Sequence, residues 1–93
     1  MSPSPISESE VASRLNSLKS WRREGQEITR TFEFPDFRAA LAFVNKTGDL
    51  AEAAGHHPDI DIRYNKVRLA LTTHDAGGLS AKDFDLAAKI NSL

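Results

Sequence analysis

The chain has 93 residues, which is enough for one compact domain and too few for two hydrophobic cores. It is 40% hydrophobic and 27% charged, a balance typical of globular proteins rather than disordered ones. The formal net charge of −1 argues against nucleic acid as the main partner, and the lack of cysteine excludes disulfide bonds, thiolate catalysis and thiolate metal sites.

The first residues, "MSPSPISESE", contain no apolar segment. Residues 1–5 are predicted to form a mobile tail on a single domain that extends over residues 1–93. No apolar run reaches the length that spans a bilayer, so we expect no membrane association and a cytoplasmic location.

Capping and periodicity predict a helix followed by a β-hairpin. Ser7 and Glu10 have the spacing of a capping box, and an apolar stripe of one helix face follows at Val11, Leu15 and Leu18. Gly25 marks the turn of the hairpin, whose second strand alternates apolar and polar residues up to Phe34.

A long second helix is predicted from Asp36, which can cap its N-terminus, to Gly55, which suits the left-handed position after its C-terminus. Gly48, inside this helix, lowers helix propensity and therefore suggests close packing at that point.

The segment "DIDIRYNKVRLALTTH" predicts a second hairpin with its turn centred on Asn65 and Lys66. That turn pairs Ile62 with Leu69 and places every apolar side chain on one face of the hairpin. Extended towards the open end, the same register places His57 opposite His74.

A last helix is predicted after Ser80, which has capping-box spacing with Asp83. Its apolar residues from Phe84 to Ile90 cover more than one stripe, which suggests that this helix meets both the sheet and a second subunit. The element order is α-β-β-α-β-β-α. The expected fold class is α+β, a four-stranded antiparallel sheet with three helices on one face.

The three histidines are the residues best suited to chemistry. His56 follows the C-terminus of the long helix, His57 is held extended before Pro58, and the hairpin register returns His74 to the same end of the sheet. Carboxylates accompany them: Glu52 lies one helical turn before His56, and Asp59 and Asp75 lie nearby in the sequence. Imidazoles titrate near neutral pH, so this cluster is typical of general acid–base catalysis.

Other interpretations of these motifs are weaker. Three histidines can bind zinc, but adjacent histidines seldom aim both rings at one ion. No serine lies on a nucleophile elbow, which disfavours serine-based catalysis. The "DAGGLS" stretch lacks the pattern of a phosphate-binding loop, and its glycines more readily serve a tight turn between strand and helix.

Combined motifs over nearly the whole chain resemble one family. The "E-x-x-x-H-H-P" of Glu52 to Pro58, the "YNKV" turn, the "THDAGGLS" stretch and the upstream "TFEFPDFRAALAFVN" are similar to those of pterin-4a-carbinolamine dehydratases, also known as dimerisation cofactors of a homeodomain transcription factor.

The resemblance implies the same fold and an enzyme, a hydro-lyase that dehydrates 4a-hydroxytetrahydropterin to quinonoid dihydropterin during recycling of tetrahydrobiopterin. It implies a small-molecule pterin substrate and a homo-oligomer, either a dimer or a tetramer. It implies no metal and no cofactor. Its catalytic residues fall on His56, His57 and His74. Residues that orient these rings or bind the pterin fall on Glu52, Pro58, Asp59, Thr73 and Asp75.

The roles within the trio stay open. The family assigns proton transfer to the first and third histidines, whereas the hairpin register makes His57 the neighbour of His74. Two positions depart from some family members: Ile60 replaces a tryptophan, and Lys82 replaces an arginine capable of bidentate contacts. The alternative function is a non-catalytic module that binds a transcription factor or a second copy of itself.

Overall fold

The computed structural model of the chain describes residues 5–93. The predicted tail of residues 1–5 lies outside this range except for Pro5. Within residues 5–93, no helix is both long enough and apolar enough to cross a membrane.

The helices and strands follow the predicted order. They are α1 (Glu8–Ser17), β1 (Arg22–Glu24), β2 (Glu27–Glu33), α2 (Phe37–Ala54), β3 (Asp59–Arg63), β4 (Lys66–Leu71) and α3 (Ala81–Asn91), with a short 3-10 helix at His74–Ala76 between β4 and α3. The four strands form one antiparallel sheet in the spatial order β1-β2-β4-β3. The predicted α+β fold class is confirmed.

One hydrophobic core joins the sheet to the three helices. The side chains of Ile28, Val67, Leu69 and Leu71 project from one face of the sheet and are fully buried. Residues of all three helices, including Val11, Phe43 and Leu86, belong to the same cluster. The alternating apolar positions of the two central strands, β2 and β4, therefore decide which face of the sheet the helices cover.

The predicted N-terminal caps of the first two helices are present. The hydroxyl of Ser7 accepts a hydrogen bond from the Glu10 N–H at 3.2 Å, and the Asp36 carboxylate accepts one from the Ala39 N–H at 2.8 Å. Gly25 has a positive φ of 64° at the first hairpin turn, which confirms the turn predicted there.

Helix α2 ends as predicted but is not closely packed at its glycine. Gly55 adopts the left-handed conformation with φ 62° at the C-cap. The close packing expected at Gly48 is wrong, because a Cβ placed there would meet no atom of the described chain within 4 Å.

The predicted register of the second hairpin is wrong by two residues. The turn consists of Tyr64 and Asn65, and Ile62 pairs with Val67 rather than with Leu69. A shift of two residues keeps every side chain on its original face, so the apolar pattern fits both registers equally well. The observed register also pairs Asp61 with Arg68, two opposite charges, where the predicted one would oppose Arg63 to Arg68.

The apolar residues of α3 from Phe84 to Ile90, except the exposed Ala88, are buried inside the chain itself. Phe84, Leu86, Ala87 and Ile90 are all buried against the sheet and its neighbours. The second subunit expected on this helix is therefore not needed to cover it. The large apolar side chains that stay exposed lie elsewhere in residues 5–93, on α2 (Phe37, Leu41), on the second hairpin (Ile60, Ile62, Tyr64) and at Leu93.

Candidate active site

One cleft contains all three histidines. It has a volume of about 260 Å³ and lies at the end of the sheet where α2 stops, β4 ends and the 3-10 helix begins. Its lining consists of Gly55, His56, His57, Thr72, Thr73, His74, Asp75 and Lys82. The convergence expected from the sequence is confirmed, although the register used to argue it was not.

His56 is the most firmly held of the three rings. Its Nε2 lies 2.6 Å from Oδ1 of Asp83, and the His56 side chain is 12% exposed whereas Asp83 is completely buried. The Gly55 cap turns the chain out of α2 immediately before His56, whose N–H donates to the carbonyl of Ala51 at 3.1 Å. The end of α2 and the carboxylate of Asp83 together fix the orientation of the His56 imidazole.

A buried hydrogen-bond network supports Asp83. Its second oxygen, Oδ2, accepts from the Thr73 hydroxyl and from the Ser80 N–H, each at 2.9 Å. The Thr73 and Ser80 hydroxyls lie 2.7 Å apart. Both carboxylate oxygens are therefore used, which a buried charge requires. The network joins three segments at the cleft: the segment that follows α2, the segment that follows β4 and the start of α3.

His57 differs from His56 in exposure and partner. Its Nε2 lies 2.5 Å from Oε2 of Glu52, and the two side chains are 62% and 77% exposed. Glu52 therefore contacts an imidazole of the trio, but it is that of His57 and not that of His56, which follows Glu52 by one helical turn in the sequence. The reason is that the chain reverses at Gly55, which turns His56 inwards towards Asp83 and leaves His57 on the side of α2 that carries Glu52.

His74 begins the 3-10 helix and its side chain is exposed. A tight loop carries it: Thr73 and Gly78 exchange two backbone hydrogen bonds of 3.2 and 3.3 Å, and Gly77 has a φ of 76°. The turn function predicted for these glycines is confirmed. Within residues 5–93 the His74 ring has no hydrogen-bond partner, so it can bond to a ligand in the cleft.

The predicted pairing of His57 with His74 is wrong. The true turn shifts the register, so that position 57 would face Thr72 rather than His74, and the ladder between β3 and β4 ends at Asp59 and Ala70, before either histidine. Thr73 and Asp75 line the cleft as expected. Pro58 and Asp59 do not line it: Pro58 is half-buried beside it, and Asp59 begins β3 as an exposed residue.

Sequence reasoning missed the role of Asp83 at the site. The capping box explained this residue completely as part of a helix start, and the box is present. The second carboxylate oxygen of Asp83 is the feature that could have indicated this role. A capping carboxylate bonds the cap residue with one oxygen and leaves the other free to bind another partner. Lys82, singled out only as a family departure, lines the cleft as its one basic side chain other than the histidines.

The histidine, aspartate and glutamate side chains of residues 5–93 form no group of three or more that could hold a metal ion. The contacts of the cleft are instead pairs of one imidazole with one carboxylate.

Comparisons with known proteins agree on one family. The family model described as pterin 4 alpha carbinolamine dehydratase matches residues 4–93. A relative from Acidobacterium capsulatum is 64% identical over 83 residues, covering 89% of this chain and 90% of its own. A relative from Roseiflexus sp. is 58% identical over 88 residues, covering 95% of both chains. Both carry names that assign them provisionally as pterin-4-alpha-carbinolamine dehydratases.

Solved structures show the same fold. A transcriptional coactivator/pterin dehydratase from Brucella melitensis superposes with a TM-score of 0.90 at 34% identity, covering 95% of this chain and 96% of its own. A pterin dehydratase-like protein, a RuBisCO assembly factor in the alpha-carboxysome, superposes with a TM-score of 0.68 at 28% identity, covering 78% and 87%. Family and relatives together support a pterin carbinolamine dehydratase activity. The chain belongs to the pterin 4 alpha carbinolamine dehydratase family.

Proposed function

We propose that residues 1–93 form a single domain that dehydrates 4a-hydroxytetrahydropterin to quinonoid dihydropterin and water. The bond between C4a and the hydroxyl oxygen breaks, and the oxygen leaves as water after receiving a proton. The neighbouring ring nitrogen, N5, loses its proton, and its electron pair forms the new double bond to C4a. No electrons are gained or lost overall, so two proton transfers suffice.

The observation that carries this proposal is the joint presence of His56 and His74 on one cleft, with His56 held by the buried carboxylate of Asp83. A general acid or base needs a fixed position, and an orienting carboxylate stabilises the imidazolium that forms during the transfer. We assign the two proton transfers to His56 and His74.

We assign His57 to substrate binding. Its ring is largely exposed and its partner Glu52 is more exposed still, so solvent screens this pair and holds it less rigidly than the pair of His56 and Asp83. Thr73 and Asp75 line the cleft on the side of His74 and supply backbone and carboxylate contacts for the pterin. Pro58 contributes indirectly, by restricting the backbone of His57.

The test is dehydration of a synthetic 4a-carbinolamine, monitored through the change in ultraviolet absorbance. We expect His56→Ala and His74→Ala to lower kcat by about 10²- to 10⁴-fold, the usual contribution of general acid–base catalysis. His57→Ala should mainly raise KM. The control is Asp61→Asn, an exposed residue of β3 outside the cleft. Full activity in both His56→Ala and His74→Ala would contradict the assignment.

A second candidate function is a protein-binding module. It is favoured by the coactivator named in the Brucella melitensis neighbour and by the exposed apolar side chains of α2, Phe37 and Leu41. Such a module needs no ordered histidine cleft. A wild-type chain without dehydratase activity, but with an intact fold by circular dichroism, would favour it.

We take tetrahydrobiopterin recycling for an aromatic amino-acid hydroxylase as the physiological role, in the cytoplasm, with no metal or cofactor and with the chain as a homo-oligomer. Metal analysis of the purified protein is the check on the reaction scheme, and a stoichiometric tightly bound ion would contradict it. Cell fractionation checks the compartment.

A further inference from the structure

A second, larger cleft lies on the other side of His74. Its volume is about 440 Å³, and it is lined by Glu24, Gln26, Glu27, Thr72, His74, Gly77 and Gly78. Thr72 and His74 line this cleft and the histidine cleft alike. The volume is within the range of small-molecule sites, ~300–1,000 Å³, whereas the histidine cleft alone falls below it. A ligand that is too large for one cleft can therefore extend past His74 into the other cleft.

Specific contacts build this second cleft. The Thr72 hydroxyl donates to the backbone carbonyl of Gln26 at 2.6 Å, which ties the turn between β1 and β2 to the segment that carries His74. A Cβ placed on Gly78 would lie 3.0 Å from Oε1 of Gln26. The two walls approach this closely because residue 78 has no side chain.

The walls of the second cleft are rich in hydrogen-bond acceptors. Hydrogen bonding from the Thr29 hydroxyl, helped by the charge of Arg68, holds the pKa of Glu24 below its usual range, so this carboxylate is ionised at neutral pH. Arg68 offsets its charge at 3.0 Å. Within residues 5–93, neither the Glu27 carboxylate nor the Gln26 carboxamide has a hydrogen-bond partner, so both are available to a ligand that brings donors.

We propose that the second cleft binds the substituent on C6 of the pterin, and that it selects substituents with hydroxyl or amino groups over those that end in carboxylates. This inference rests on the proposed function. In a 4a-hydroxytetrahydropterin, C4a is shared by the two fused rings and N5 joins it to C6, so the rest of the pyrimidine ring lies on one side of the reacting atoms and C6 with its substituent on the other. A substrate whose reacting atoms face His74 thus extends away from it in two directions, and the two clefts lie on the two sides of this residue.

The experiment compares three carbinolamines by kcat/KM. Their C6 substituents are a dihydroxypropyl group, a methyl group, and a chain that ends in carboxylates. We expect Glu27→Gln to reduce the preference for the dihydroxypropyl over the methyl substrate by about five-fold, because a hydrogen bond to a neutral carboxamide replaces a stronger one to a charged carboxylate. Glu27→Lys should raise kcat/KM for the carboxylate-ended substrate relative to the methyl one, because it replaces a repelling charge with an attracting one.

Glu33→Gln and Glu33→Lys are matched controls. Glu33 lies on the same face of β2 as Glu27, six residues along the strand and thus about 20 Å away, and outside both clefts. These variants should keep the wild-type preferences. Preferences that stay unchanged in both Glu27 variants, while every substrate is dehydrated, would overturn the second cleft as the substituent site. A wild-type chain that dehydrates none of the three would instead overturn the proposed function itself, and this inference with it.

Discussion

Asp83 performs two structural tasks with one carboxylate. One oxygen completes the N-terminal capping box of α3 through the Ser80 N–H and also accepts from the Thr73 hydroxyl. The other oxygen holds His56. A carboxylate that is completely buried and has all its bonds satisfied is rigid, so the ring that it holds has one defined orientation. The preorganisation of the cleft therefore depends on a residue that does not line it.

Replacing Asp83 by asparagine should separate these tasks. Asparagine keeps one acceptor for the cap but turns an uncharged NH₂ group or oxygen towards His56, so the ring loses its orienting charge. We expect kcat to fall by at least about ten-fold and the free energy of unfolding to fall by about 1–3 kcal/mol, the range for disturbing a buried polar network. The measurements are the pH profile of kcat, ¹⁵N NMR of His56 for its tautomer, and urea denaturation.

Asp85→Asn is the control for that substitution. Asp85 lies on the same helix and is largely exposed, and its carboxylate lies 3.8 Å from the Arg14 guanidinium. It should match the wild type in all three measurements. If Asp83→Asn lost stability but kept the wild-type pH profile and the wild-type tautomer of His56, then Asp83 would serve the helix cap alone.

At the scale of elements, the second hairpin shows how a turn selects a register. The apolar pattern allows two registers that differ by two residues. Asn65 distinguishes them through contacts outside the hairpin. Its side-chain Nδ2 donates to the backbone carbonyl of Phe34 at 2.8 Å, and its backbone carbonyl accepts from the Phe34 N–H at 2.9 Å. Tyr64 accepts a φ of 52° in the resulting turn. Contacts with the end of β2 therefore decide where this hairpin turns.

Helix α2 has one glycine inside it, Gly48, and one at its C-cap, Gly55, and their opposite requirements give a paired prediction. Gly48 is helical and has open space at its Cβ position, so Gly48→Ala should raise the free energy of unfolding by about 0.4–1 kcal/mol. Gly55 needs its left-handed φ of 62° to end the helix, so Gly55→Ala should lower the free energy of unfolding by about 1–2 kcal/mol. Urea denaturation of both variants measures the two changes, and a destabilising Gly48→Ala would show that another molecule packs there.

At the scale of the whole molecule, large apolar side chains are exposed on surfaces of two elements, α2 and β3. Phe37 and Leu41 lie on one face of α2, while Ile60 and Ile62 lie on β3 at the edge of the sheet. An edge strand with exposed apolar side chains and an unpaired backbone favours association with another chain. The case for a homo-oligomer therefore moves from α3, which is buried, to these two surfaces.

The prediction is that the purified chain is a dimer or tetramer at micromolar concentration by light scattering and sedimentation velocity. Leu41→Lys should weaken an interface on α2, and Ile62→Lys one on the edge strand, because each buries a charge without a partner. Asn16→Lys, on an exposed position of α1, controls for added charge. A pure monomer in the wild-type protein would contradict the prediction.

Local patterns determined most of the fold and the identity of the candidate site. Capping at Ser7 and Asp36, the stop at Gly55 and the alternation of the strands are interactions between near neighbours in the chain, so they can be read from spacing alone. The three histidines were identified for the same reason. Their residue types and the end of the sheet at which they gather follow from local rules.

Tertiary structure decided which groups meet at that end. Two registers satisfied the apolar pattern equally, and the contact of Asn65 with Phe34 chose between them. The direction of each imidazole was likewise settled by partners distant in sequence, with His56 bound by Asp83, 27 residues later. Spacing along the chain carries no information about such contacts, because they depend on how separately formed elements pack against one another.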